Sequence, residues 1–384
     1  MDFELPEEHQ LLQKLVRDYV ADHVAPHAAK YDEDEAFPEI PWRKAGELGL
    51  TAVTIPESYG GSAMGNLASS IVVEEVSRVC PSTGVTISVH NSLVASPLAK
   101  WGNEEQKKKY LPRMASGEWL GAYALSEAEA GTDASNQTAR AEKRGDRWVL
   151  NGAKLWITSG THADLFIVFA RTSAPPDAAH RSRGVTAFLV EKTFRGFSVG
   201  KKEEKLGIRA SPTTEIHLAD CEVPAENLLG TLDKGFHIAM DTLDGGRIGI
   251  ASQALGITQG ALDASVKYAR ERQQFGRPIG DFQAIQWKIA DIAAELDGAR
   301  LMTRRAAQLR DRGEPCVKEA AMAKLVASRL ANRAADEAVQ IHGSAGYSRE
   351  YIVERLFRDA RITEIYEGTT EAQRLVIARA LLSG

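Results

Sequence analysis

The sequence predicts an α+β protein of several domains, helical at both ends with a β domain between. Three observations carry this. Apolar residues recur at helical spacing through the first third, short apolar or alternating runs fill the middle, and long Ala- and Arg-rich helical patterns return after about residue 235. A chain of 384 residues can build two or three substantial cores. The expected domains are 1–120 (helical), 121–233 (β) and 234–384 (helical).

Each element rests on a local pattern. Leu11, Leu12, Leu15, Val16, Tyr19 and Val20 recur at helical spacing with charges between them, so the chain opens on an amphipathic helix. Helical patterns continue through 71–76 and 104–110, punctuated by Pro56, Gly60-Gly61, Pro81 and Pro112. Residues 147–157 carry β-rich flanks around Asn151-Gly152, which predicts a hairpin turning at that pair. Residues 165–169 and 185–190 read as short apolar strands, 214–218 alternates, and 174–177 is a surface loop. The middle block is predicted as a small barrel or two packed sheets. Beyond Gly235, one amphipathic helix runs from 248 towards 272 and breaks at Gly276, Pro278 and Gly280. Further helices start near Phe282, cover 317–340 and follow Thr370.

Composition narrows the function. A net charge of -5 gives no reason to expect nucleic-acid binding. No apolar run approaches the roughly 20 residues needed to cross a bilayer. The acidic start, Met1-Asp2-Phe3-Glu4-Leu5, resembles neither a secretory signal nor a transit peptide. Cys80, Cys221 and Cys316 are scattered without zinc or CxxC spacing, so they read as reduced structural thiols of a cytoplasmic protein, and no metal is expected. No G-x-G-x-x-G follows a strand and no P-loop occurs, which leaves the usual dinucleotide folds without support.

Five segments carry the chemistry. They are Leu125-Ser126-Glu127-Ala128-Glu129-Ala130-Gly131-Thr132, Trp156-Ile157-Thr158-Ser159-Gly160, Arg272-Gln273-Gln274-Phe275-Gly276, Gln340-Ile341-His342-Gly343-Ser344 and Ile365-Tyr366-Glu367-Gly368-Thr369-Thr370-Glu371. The last puts a carboxylate before a glycine, where the backbone can approach a ligand closely. In this order the five resemble the acyl-CoA dehydrogenase family of flavoproteins over nearly the whole chain. The resemblance implies the acyl-CoA dehydrogenase fold, with a four-helix-bundle-like C-terminal domain and FAD held between β domain and helices.

The resemblance also assigns roles. Residues from Tyr123 through Leu125, Ser126 and Gly131 to Thr132 would lie along the flavin, with Trp156 packed against its ring and Ile157 and Thr158 beside it. An aromatic suits that place because two flat π systems gain from offset packing. Arg272 and Gln274, with Phe275 and Gln283, would reach the pyrophosphate of a neighbouring subunit's FAD, and Gln340, Gly343 and Ser344 its adenosine end. Arg suits phosphate because its planar fork matches the oxygens. Thr369 and Glu371 complete the expected cofactor set. Thr132, Asp244, Arg247, Tyr366 and Gly368 would contact acyl-CoA, and Gln253 and Thr363 would shorten the acyl pocket as in the short-chain enzymes. Ala128 stands where many members carry Pro, and Asn136 where they carry a small residue.

Glu367 matches the family's catalytic base. A free Glu, with a pKa near ~4.3, is too weak to take a carbon-bound proton unaided. Burial would raise that value, and hydrogen bonds to the thioester carbonyl would stabilise the developing enolate. Relatives that place the base before the Arg matching Arg247 have a carboxylate where this chain has Gly246. The expected reaction is dehydrogenation of a butyryl-type or small branched acyl-CoA to the trans-2-enoyl-CoA, with electrons passed to an electron-transferring flavoprotein. A homotetramer is expected, since Arg272 would serve a neighbour's FAD. Two rivals are an oxygen-using acyl-CoA oxidase of the same fold and a non-enzymatic helical scaffold. The chain length and the ending Leu382-Ser383-Gly384, unlike Ser-Lys-Leu, favour the dehydrogenase over the first. The intact motifs oppose the second.

Overall fold

The computed structural model describes residues 4–383, so Met1–Phe3 and Gly384 of the termini read above lie outside it. Seven helices come first: α1 (Glu7–Tyr19), α2 (Ala28–Asp34), α3 (Glu39–Glu47), α4 (Gly65–Ser77), α5 (Pro81–Ser88), α6 (Ser96–Trp101) and α7 (Glu104–Ala115). From Leu67 onwards α4 is buried on every side, between α1, α5 and two long helices of the C-terminal part. Its two acids survive burial by pairing, Glu74 with Arg300 at 2.7 Å and Glu75 with Arg17 at 2.8 Å. Helix α7 begins on a capping box between Asn103 and Gln106. The Gln106 amide also donates to the carbonyls of Glu226 and Leu228, which ties the helix to the β domain.

Between α5 and α6 the chain widens into a buried π-helical turn, Val89–Ala95. There His90 Nδ1 accepts the amide of Gly121 at 3.2 Å. Burial pushes the His90 pKa down to about 4, so the ring is a neutral strut onto the first strand.

The β domain holds β1 (Gly121–Ala124), β2 (Arg140–Arg144), β3 (Arg147–Thr158), β4 (Leu165–Arg171), β5 (Val185–Glu191), β6 (Phe197–Lys202), β7 (Thr213–Pro224) and β8 (Leu228–Leu229). They follow one path, β6-β7-β3-β2-β4-β5-β8, with β1 beside β4. Strands β2 and β4 meet through the single pair Arg140–Arg171, so the path folds into two halves. Those halves face each other across a common core, with Trp148 5.5 Å from Phe188 and Phe166 4.7 Å from Phe197. Alternate residues of β4 and β5, such as Leu165, Ile167 and Ala187, enter a second core shared with α6, α7 and the first long C-terminal helix.

The hairpin expected at Asn151-Gly152 is not there. The chain turns at Gly145-Asp146, between β2 and β3, and β3 runs straight through the Asn-Gly pair. That pair is a bulge instead: the β3–β7 register shifts there, and Asn151 Oδ1 accepts the Asp220 amide. Gly145, at φ 63°, supplies the left-handed residue that the real turn needs.

The C-terminal part contains α8 (Gly235–Glu271), the small hairpin β9 (Gln273–Gln274) and β10 (Arg277–Pro278), α9 (Gln283–Asp311), α10 (Val317–His342), α11 (Ile352–Ala360) and α12 (Thr370–Leu382). Helices α8, α9 and α10 pack on one another around Ala-rich faces, and α12 leans on α10. Helix α8 starts well before the expected residue 248 and carries Gly245-Gly246 in its interior. Each glycine costs a helix about 1 kcal/mol, and the burial of α8 among α4, α5 and α10 outweighs it. Helix α11 has no counterpart among the expected elements, although Ile352, Val353, Leu356 and Ala360 recur at helical spacing. The three cysteines are buried free thiols, as expected. Among the described residues no helix is long and apolar enough to cross a membrane.

Candidate active site

Glu367 lies on the turn before α12 in the left-handed region, φ 53°, and Gly368 follows at φ 96°. A non-glycine residue there costs on the order of 1 kcal/mol and persists only when its surroundings enforce it. The enforcing bonds converge on the Gly368 carbonyl, which accepts from Lys324 Nζ at 2.6 Å and from Gln373 Nε2 at 2.9 Å. Both side chains are fully buried. Thr369 then caps α12, its hydroxyl accepting the Ala372 amide at 3.2 Å.

The residue is half-buried as a whole, but its carboxylate oxygen Oε2 is closed to solvent and has no hydrogen-bond partner among the described residues. Burial pushes the carboxyl pKa up to about 7, against the opposing charges of Lys324 and Arg247. A buried carboxylate without a partner is suited to take a proton. Gly246 makes the space: a β-carbon there would stand 2.0 Å from Oε2 and 2.8 Å from Leu93 of the π-helical turn. Gly249 and Gln253 follow on the same face of α8. A β-carbon at Gly249 would meet Ser88 Oγ at 2.2 Å. Gln253 donates to the Pro81 carbonyl at 3.0 Å and accepts the Tyr366 hydroxyl.

The remaining acyl-CoA candidates divide. Asp244 and Arg247 form a buried pair at 2.8 Å in mid-helix. Arg247 Nε is left without a partner among the described residues. Thr363 is buried, but its hydroxyl donates to the Ala360 carbonyl at 2.7 Å and faces the junction of α10 and α11. It offers the site bulk, not a polar contact.

On the β side, Trp156 is 62% exposed at φ 61°, where the β3–β7 register shifts a second time. That bulge turns a large aromatic outward, a fit for stacking on a planar ring. Thr158 and Ser126 are half-buried, and Gly131 and Thr132 are exposed. The side chains of Leu125 and Ile157 enter the two cores, so only their backbone remains for a cofactor. Behind this loop Lys154, fully buried, donates to the Leu125 carbonyl at 3.1 Å and to Glu127 at 2.7 Å. Asn136 departs from the family pattern yet bonds the Glu129 carbonyl, which keeps the loop closed on itself. Tyr123 faces the charge of Glu367 from β1 and so joins the two sides.

The other cofactor candidates gather elsewhere. Arg272, Gln274, Phe275, Gln283, Gln340, Gly343 and Ser344 lie in and beside the β9–β10 hairpin and at the end of α10, and Phe275 is 92% exposed. A small cluster of Ala269, Ile279 and Ile341, with Tyr268 stacked on His342 at 4.2 Å, brings that hairpin to the end of α10. Along α10, His342 is 18 residues beyond Lys324, or about 27 Å. Among the described residues Arg272 has no ion-pair partner, and neither Glu271 nor Asp281 takes it. Glu371 is exposed in the first turn of α12.

Sequence reading missed Lys324, Gln373, Lys154 and Leu93. One signal was present: Lys324 falls on the buried stripe of small residues Ala320, Ala327, Ser328 and Ala331 of α10.

The N-terminal, middle and C-terminal domains of acyl-CoA dehydrogenases match residues 6–118, 122–221 and 233–382. The mitochondrial short-chain specific acyl-CoA dehydrogenase of Mus musculus is 50% identical over 379 residues, 99% of this chain and 91% of its own. The butyryl-CoA dehydrogenase of Megasphaera elsdenii has a similar structure, with a TM-score of 0.96 and 44% identity over 100% of both chains. An acyl-CoA dehydrogenase from Bacillus anthracis, solved with FAD, has a TM-score of 0.93 and 35% identity, covering 99% of this chain and 67% of that one.

Proposed function

Since the chain belongs to the acyl-CoA dehydrogenase family, we propose that it dehydrogenates a short-chain acyl-CoA to the trans-2-enoyl-CoA, with Glu367 as the base. The observation that carries this reading is the enclosed, partnerless Oε2 of Glu367, held opposite a glycine that leaves it room.

FAD is the cofactor, and when bound it supplies the acceptor for the hydride that leaves the β-carbon. The outward Trp156, Thr158 and the 125–132 loop would hold its ring side. Arg272, Gln274, Phe275, Gln283, Gln340, Gly343 and Ser344, at the far end of α10, would serve the FAD of a neighbouring copy. Their distance from Glu367 supports that, as does the lack of an ion-pair partner for Arg272 among the described residues.

The chain's own residues do the proton chemistry. Ionised Glu367 takes the α-proton through Oε2, and the thioester carbonyl gains negative charge. Among the described residues no carbonyl accepts the Glu367 amide, which leaves that N–H free to donate to the developing enolate oxygen. Arg247, with its idle Nε and its Asp244 partner, would meet the CoA portion. Gln253 and Tyr366, bonded to each other, would close the acyl end. Electron transfer to an electron-transferring flavoprotein, a homotetrameric assembly and a cytoplasmic location belong to the same reading. The three buried, unpaired thiols suit a reducing compartment.

The test is anaerobic mixing with butyryl-CoA. The wild-type flavin should bleach, and Glu367→Gln, which keeps shape and cofactor, should bleach about 100- to 10,000-fold more slowly. Bleaching of that variant at the wild-type rate would remove Glu367 from the role.

A further inference from the structure

We propose that Lys324 is a positioning residue for Glu367, whose buried ammonium pins the Gly368 carbonyl and so fixes both the turn that presents the base and the charge against which it ionises. The proposal rests on Glu367 being that base.

A fully buried lysine is expensive unless its charge is answered. Among the described residues no carboxylate lies within ion-pair distance of Lys324, and its ammonium is held by the Gly368 carbonyl at 2.6 Å. Desolvation pushes its pKa down to about 8, and the Glu367 carboxylate is the largest influence in the other direction. Among the described residues the lysine thus has one hydrogen-bond acceptor, and that acceptor is the residue directly after the base.

The Gly368 carbonyl also accepts from Gln373, so the turn has a neutral clamp as well as a charged one. Gln373 can hold the backbone at φ 53° and 96° but adds no charge. The groups facing Glu367 are Tyr123 from β1, Arg247 from α8, Lys324 from α10 and its neighbour Tyr366. Glu364, Glu371 and Arg247 face Lys324 more weakly. Of the two cations, Arg247 is bonded to Asp244 at 2.8 Å, which cancels much of its field at the base. Lys324 has no ion-pair partner among the described residues, so less of its field at Glu367 is offset. Without it, the buried carboxyl would keep its proton to higher pH.

The experiment is the rate of anaerobic flavin bleaching by butyryl-CoA in the FAD-loaded enzyme, from roughly pH 6 to 9, for wild type, Lys324→Gln, Lys324→Met and Gln373→Leu. Lys324→Gln keeps a donor without the charge, so its acidic limb should move up by about one pH unit, near tenfold slower at low pH, with a plateau within a few-fold of wild type. Lys324→Met should move the limb and also lower the plateau. Gln373→Leu should lower the plateau with the limb in place. A Lys324→Gln limb that coincides with wild type overturns the proposal, as does a limb that moves equally in Gln373→Leu. If neither Lys324 variant retains FAD, Lys324 serves packing alone and the proposal falls. Normal bleaching by Glu367→Gln is a separate failure, that of the base.

Discussion

A β-carbon on Gly246 would stand 2.0 Å from Glu367 Oε2, so residue 246 and the base compete for one volume. The family resemblance places the base of some relatives beside the α8 arginine, at the helix position that is glycine here. This chain empties the helix position and fills the same space from the turn before α12. The missing side chain at 246 is therefore as much a part of the site as the carboxylate at 367.

Gly246→Ala should push the carboxylate aside while leaving FAD in place. Displacing a reacting group by about 1 Å costs on the order of 100-fold, so kcat for butyryl-CoA should fall by about that much. Helix propensity would favour Ala by about 1 kcal/mol, so a stable, yellow and slow enzyme is the expected product. Stopped-flow bleaching alongside the flavin spectrum measures both, and a Gly246→Ala enzyme of undiminished rate would contradict the geometry.

As the proposed base, Glu367 would have to be ionised to act, and burial holds its pKa up at about 7. Bleaching should therefore rise with pH through about 7 and level off above, with the rate near pH 6 about tenfold below the plateau. Stability runs the other way. The folded carboxyl keeps a proton that the unfolded chain has released above about 4.3, so this group's contribution is lost as pH rises towards 7. Buried Asp359, also pushed up to about 7, adds to the same slope. Melting curves at about pH 5 and pH 8 should show Glu367→Gln gaining on wild type at the higher pH.

Gln253 is fully buried with one bond to Pro81 and one to Tyr366. Gln253→Ala should open the acyl end and move the kcat/KM optimum from about four to six carbons towards longer chains, each methylene being worth ~1–3 kcal/mol. The abandoned Pro81 carbonyl and the cavity should also cost about 1–3 kcal/mol of stability. An unchanged chain-length profile would take Gln253 out of the pocket.

Among the described residues Arg272 has no ion-pair partner, and it sits on an exposed hairpin beside Phe275. Light scattering should find an assembly of copies, expected to be a tetramer, and Arg272→Ala should lose FAD by about tenfold in affinity or more while each protomer stays folded. An active, FAD-loaded monomer would place the hairpin outside the cofactor site.

Local pattern was enough for some features. The order helix–β–helix, the start of α9, the span of α10 and the start of α12 follow from periodicity and from glycine and proline punctuation, which are short-range properties. Glu367, Gly368, Trp156 and Arg272 could be named as candidates because motif segments keep residue type and spacing in view. Local reading failed where tertiary burial overrode propensity. Asn151-Gly152 promised a turn and became a bulge under strand β7, and the helix expected from 248 begins at Gly235 and takes Gly245-Gly246 into its interior.

The sequence by itself determined which chemistry was available: one carboxylate before a glycine, an aromatic beside a hydroxyl, an arginine at a helix end. Only the tertiary structure decided which groups share a space. It turned Trp156 outward while sending Ile157 inward, and spent the Thr363 hydroxyl on a helix carbonyl. It also carried Lys324 across 44 residues of chain to the carbonyl beside the base. The reason is that ionisation and reach depend on desolvation and on charges a few ångströms away, and those neighbours come from α8, α10 and β1, which no local spacing relates.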